Sequence, residues 1–125
     1  KIEDFQLKDG ASILVSKDCM GEIFNFGIII AKQGAQKILQ EIIDSVAESN
    51  RYHGNWEQHA VSDIYKDKQY IRDAISIISP AILQGFDRED VLYEPDEFKW
   101  KPGTFIVHCA GMSLEKRIRY MKKYI

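Results

Sequence analysis

The chain has 125 residues, 45% hydrophobic and 29% charged, with 17 Lys and Arg against 19 Asp and Glu. That length and balance fit one small globular domain or part of a larger one, and they argue against disorder, collagen or a coiled coil. A formal net charge of −2 supplies no global positive field for a nucleic-acid backbone, whose neutralisation needs clustered basic residues.

A short strand is expected over 11–16, an apolar run that follows the Asp9-Gly10 turn. The next lies over 24–31. Its three consecutive isoleucines predict a central strand buried on both faces, with helices packed over it. From Ala35 to about Ser49, Ile38, Leu39, Ile42, Ile43 and Val46 recur at helical spacing and predict an amphipathic helix. Residues 50–55 read as a loop by composition. Asn55 is then placed to cap a second helix running from Trp56 to about Tyr65, with Glu57 in its first turn. Residues 70–79 read as a short helix leading into a strand that stops at Pro80. The stretch 81–100 reads as irregular, with Pro95, Pro102 and Gly103 as breakers around its end. A last strand over 104–108 precedes Gly111 and a basic helix from about Leu114 to Tyr124, whose Ile118 and Met121 are expected to turn inward.

Strands alternating with helices predict an α/β domain with a parallel component, in which ligands sit beyond the carboxyl ends of strands. Cys19 and Cys109 do not have the spacing of a disulfide-stapled scaffold or a zinc site, and they leave the redox compartment open. The longest apolar stretch, near Ile28–Ala31, falls well short of the roughly 20 residues of a membrane helix. The first residues carry no signal-peptide pattern, so a soluble portion of a protein is expected.

The strand-end rule singles out His108, whose imidazole can ligate Mn²⁺, Zn²⁺ or Fe²⁺, with small residues and Gly111 beyond it leaving room for a phosphate. Its ordinary structural role is that of a hydrogen-bonded strand-end histidine. Glu57 and Gln58 open a helix; a carboxylate there can orient a sugar hydroxyl, and an amide oxygen can face developing positive charge, although a first-turn Glu also simply supports a helix. Trp56 is either core or a sugar platform. Asn25 can hydrogen-bond a hydroxylated ligand beside Gly27; the alternative is a bulge with a self-satisfied Asn. Asp18 can bind an acceptor hydroxyl or cap local backbone. Of the basic residues 116–123, Lys116 or Arg117 could neutralise a diphosphate, whereas a solvated helix face is the plain alternative. His53 and His59 read as surface residues, and the three histidines do not form a metal triplet by spacing.

The order of these pieces is more specific than any one of them. Asp18, Asn25-x-Gly27 with its apolar strand, an amphipathic helix, Trp56-Glu57-Gln58-His59-Ala60 and Phe105-Ile106-Val107-His108-Cys109-Ala110-Gly111 together resemble the C-terminal half of a retaining GT-A glycosyltransferase. The likeness is to the galactosyltransferase/mannosyltransferase family, which includes fungal Golgi enzymes and plant xyloglucan xylosyltransferases, and it runs from about Ile13 to Tyr124.

The resemblance implies a mixed sheet with flanking helices and transfer of a sugar from a nucleotide-diphosphate donor, a UDP-sugar, to a glycan hydroxyl, with retention and with Mn²⁺ or Mg²⁺ as cofactor. By it His108 completes the metal site on the diphosphate, and Gly111 and then Lys116 lie along the diphosphate. The basic residue that follows the glycine comes sooner in related enzymes than Lys116 does here. Glu57 and Gln58 lie beneath the donor sugar, Gln58 nearest the anomeric carbon. Asp18, Asn25, Gly27 and Trp56 line the sugar and acceptor side. The family's Asp-x-Asp motif and nucleotide-binding half would fall upstream of Lys1, so the chain is expected to be the acceptor-side half of a catalytic domain. Two other readings are a non-catalytic α/β carbohydrate-binding or interaction module using Trp56, Tyr93 and Trp100, and a divalent-metal hydrolase, for which only His108 is well placed.

Overall fold

The structure, a computed structural model, describes residues 5–18, 23–53, 57–86, 98–108 and 113–122. It is mixed α/β and forms two compact units, Lys1–Ile78 and Ser79–Ile125. No helix among the described residues is long and apolar enough to cross a membrane.

In the first unit, β1 (Ile13–Ser16), β2 (Asn25–Ala31) and β3 (Ile75–Ile78) make a sheet of order β2-β1-β3. β1 pairs antiparallel with β2 and parallel with β3, and all four of its residues are buried. The central strand is therefore β1, and the expectation that the isoleucine run would be central is corrected. β2 is an edge strand whose burial alternates, with Ile29 exposed between half-buried Ile28 and Ile30. A β-branched run favours extended backbone wherever it sits. Which strand is buried on both sides depends on which one has partners on both edges.

α1 (Gln36–His53) and α2 (Glu57–Asp67) cover the sheet, and Ile13, Val15, Phe24, Ile42, Val61 and Ile71 meet in the core. The loop expected from Asn50 begins later, because α1 continues to His53. Residues 50–53 include no helix breaker, and the first Gly is Gly54. α2 ends two residues beyond the expected Tyr65. α3 (Gln69–Ala74) then feeds β3 as expected. Arg72 closes this junction: its guanidinium donates to the carbonyls of Tyr65, at 2.9 Å, and of Lys66, occupying orphan acceptors in the last turn of α2. Lys8 ties the incoming chain to the same corner, its Nζ donating to the Arg72 carbonyl at 2.6 Å.

In the second unit, α4 (Pro80–Leu83) and β4 (Gln84–Phe86) occupy part of the stretch expected to be irregular. The Ser79 hydroxyl caps α4 and Pro80 stands at its first turn, a start signal on an element too short to display periodicity. β4 pairs parallel with β5 (Ile106–His108), and Gly85 lies opposite Val107. The 101–104 segment is a hydrogen-bonded turn, Thr104 N–H to the Lys101 carbonyl at 2.9 Å. Pro102 precedes Gly103 at φ 104°, the positive-φ position that a type II turn reserves for glycine. Two bonds hold this turn to α4: the Thr104 hydroxyl to the Ala81 carbonyl at 2.9 Å, and Phe105 N–H to the Ile82 carbonyl at 3.1 Å.

The basic helix is α5 (Leu114–Met121), capped by the Ser113 hydroxyl. It packs through Tyr120. Ile118 and Met121, expected to face inward, are exposed, because the arc of the helix carrying Tyr120 is the one that docks.

Candidate functional site

The expected residues fall at two places, one in each unit. In the first unit, parallel β1 and β3 end together, and Lys17 N–H donates to the Ile78 carbonyl at 3.0 Å. Asp18 follows β1 and Asn25 opens β2, and both are buried. Asn25 Nδ2 donates to Asp18 Oδ1 at 3.1 Å, and Asn25 Oδ1 accepts from Gly27 N–H at 2.9 Å. The β1–β2 register shifts at this point, between the Leu14 and Ser16 pairs. The geometry is that of the structural alternative, an irregular strand crossing with a satisfied Asn. It gives Asp18 a fixed position among buried groups, and it leaves Gly27 exposed on the sheet edge.

Glu57 and Gln58 open α2 at the same end of this unit. α1 starts beside the amino end of β1, since Lys32 N–H donates to the Ser12 carbonyl, and it runs along the sheet. α2 returns antiparallel to α1, with Lys68 meeting Glu41 while Asp63 and Ile64 face the groove opposite Glu48. The first turn of α2 therefore lies toward the carboxyl ends of β1 and β3. Glu57 is exposed there and Gln58 half-buried. One turn on, the Ser62 hydroxyl is buried and has no hydrogen-bond partner among the described residues. A buried hydroxyl left unpaired costs about 1–3 kcal/mol. Ser62 was not singled out from the sequence, although its i+4 spacing from Gln58 places the two on one helix face. Trp56 lies outside the described residues.

In the second unit, His108 is the last residue of β5, in register with Phe86 at the end of the parallel pair. Five residues later the Ser113 hydroxyl accepts from Lys116 N–H at 3.4 Å and starts α5. A parallel strand thus leads through a short connection to a capped helix N-terminus, an arrangement that suits an anionic group. Glu115 in that first turn opposes an anion there, and exposed Lys116 favours one. Gly111 lies outside the described residues. Among the described residues no group of three or more His, Cys, Asp or Glu could hold a metal ion. His108 would be a single ligand in a set that these residues do not complete.

An open groove of about 320 Å³ between α1 and α2 contains none of the expected residues. At its rim Glu41 accepts from Lys68 Nζ at 2.7 Å and from the Tyr70 hydroxyl. These bonds, that of Lys68 foremost, hold the Glu41 carboxyl below its ordinary 4.5, and the bond to Glu41 raises Lys68 above its ordinary 10.5. A depressed carboxyl stabilises the folded chain while it is ionised. That contribution is complete above 4.5 and is lost as pH falls through the lower folded value. Thermal unfolding of the wild type and Glu41→Gln should differ by a constant interval between about pH 5 and 8 and converge in more acidic solution. An interval unchanged in acid would rule out the ionised carboxylate as its source.

A comparison of the chain with protein families, with curated proteins and with solved structures finds no match.

Proposed function

We propose that the chain belongs to a retaining glycosyltransferase of the GT-A type that moves a sugar from a UDP-sugar to a glycan hydroxyl. The observation that supports this reading most is the strand-to-helix unit of the second half. His108 closes a parallel strand, and a Ser-capped helix carrying Lys116 begins a few residues on. That is the local architecture in which α/β proteins hold phosphates.

In this reading His108 contributes one ligand to Mn²⁺ or Mg²⁺, and Gly111 and Lys116 lie along the diphosphate. The metal, when bound, neutralises charge on the departing diphosphate. To Gln58, in the first unit, the resemblance gives an amide oxygen that faces developing positive charge, and to Glu57 the orientation of a sugar hydroxyl. Asp18, held by Asn25, accepts from an acceptor hydroxyl, with exposed Gly27 letting the glycan approach the β2 backbone and Trp56 offering a flat apolar face to the sugar.

Isothermal titration of UDP-sugars into the full-length natural protein tests the reading. Binding that requires Mn²⁺ is the expected result. Failure to bind any UDP-sugar in the presence of Mn²⁺ would overturn it.

A further inference from the structure

Helix α5 carries an exposed apolar stripe inside a basic frame. Leu114, Ile118 and Met121 recur at steps of four and three, which puts them on one face, and they are 71%, 47% and 50% exposed. Tyr120, the buried anchor, lies on another arc of the helix. At 100° per residue, Arg117 and Lys122 flank the stripe within roughly 75° on either side, while Lys116 and Arg119 occupy the far side. Residues 114–123 hold five Lys or Arg and one acid, Glu115, in a chain whose net charge is −2.

We propose that this face of α5 docks the protein on an anionic lipid surface. The three apolar side chains would enter the boundary between headgroups and acyl chains. The Arg117 and Lys122 stems would run beside them and carry their charges up to lipid phosphates. Arg117 on one flank and Lys122 on the other, with Glu115 about 20° beyond Lys122, leave the helix net basic toward a plane of negative charge. An acidic protein groove would have to supply that charge on two walls and an apolar floor as well. Eight residues give only a small apolar footprint, so the contact depends on anionic lipid and is reversible. The proposal is independent of the glycosyltransferase reading, since Lys116 points away from the stripe.

Co-sedimentation of the chain with vesicles of phosphatidylcholine alone, or of phosphatidylcholine with phosphatidylserine, tests it. Affinity for the mixed vesicles should exceed that for neutral ones by about tenfold or more at low salt. Arg117→Gln/Lys122→Gln, which removes two charges, should weaken it roughly thirtyfold. Leu114→Ser/Met121→Ser should also abolish sedimentation, with circular dichroism checking that each variant is folded; all four positions are exposed. No sedimentation with mixed vesicles, equal affinity for both compositions, or wild-type binding by both double variants would overturn the proposal. So would a chain that ignores vesicles and instead forms a dimer or captures an acidic protein through the stripe.

Discussion

Replacing Gly85 with alanine is expected to destabilise the second unit by about 3 kcal/mol or more, the upper end of what overpacking costs. A β-carbon on Gly85 would overlap Trp100 Cα and stand 2.7 Å from its backbone nitrogen and 2.9 Å from its Cβ. Backbone cannot swing aside as a long side chain can. On one side Gly85 is fixed by the parallel ladder to Val107. On the other, Trp100 leads directly into the 101–104 turn, which is bonded to α4 through Thr104 and Phe105. Relief would therefore require breaking the ladder or the turn. Denaturant unfolding followed by tryptophan fluorescence and amide exchange gives the measurement. An alanine variant within about 0.5 kcal/mol of wild type would mean that the strand and the Trp100 backbone are not in such contact.

The second large effect is on chemistry. Under the proposed glycosyltransferase reading, His108→Ala should reduce Mn²⁺-dependent transfer by roughly 10²–10³-fold or more, the scale on which a positioned electrostatic partner of the leaving group acts. The backbone pairing of β5 does not depend on the imidazole, so circular dichroism of the variant checks that it is folded before transfer is compared. Assays across Mn²⁺ concentrations separate weakened metal binding, which excess metal rescues, from lost chemistry. Turnover equal to wild type would exclude His108 as a ligand.

Elements long enough to repeat a pattern were legible in the sequence. The apolar stripe of α1 was read where it occurs, and a short helix leading into a strand was read within 70–79 without the point of change. α4 and β4 have four and three residues, too few for either period to show, and Ser79-Pro80 was the one local signal. The exchange of central and edge roles between β1 and β2 was not legible, because hydrophobicity records a strand's affinity for the interior and not its number of neighbours. The site divides similarly. The Asn25–Gly27 bond follows from a two-residue spacing. The partnership of Asn25 with Asp18 depends on how two strands cross, and the unpaired Ser62 hydroxyl depends on what the helix faces. The inward turn expected of Ile118 and Met121 rested on composition, and the packed arc of α5 lies elsewhere.

The position of β1 also sets an order of events during synthesis. Its partner on one side, β2, follows within a few residues, but β3 on the other side lies about sixty residues downstream. At a translation rate of roughly 5–20 residues per second, a largely apolar strand leaves the ribosome and waits on the order of 3–12 s for its second neighbour. Over that interval the β1–β2 pair presents an open, sticky edge to the cell. An open edge of this kind is what early docking of α1, or a chaperone, would shield until β3 arrives.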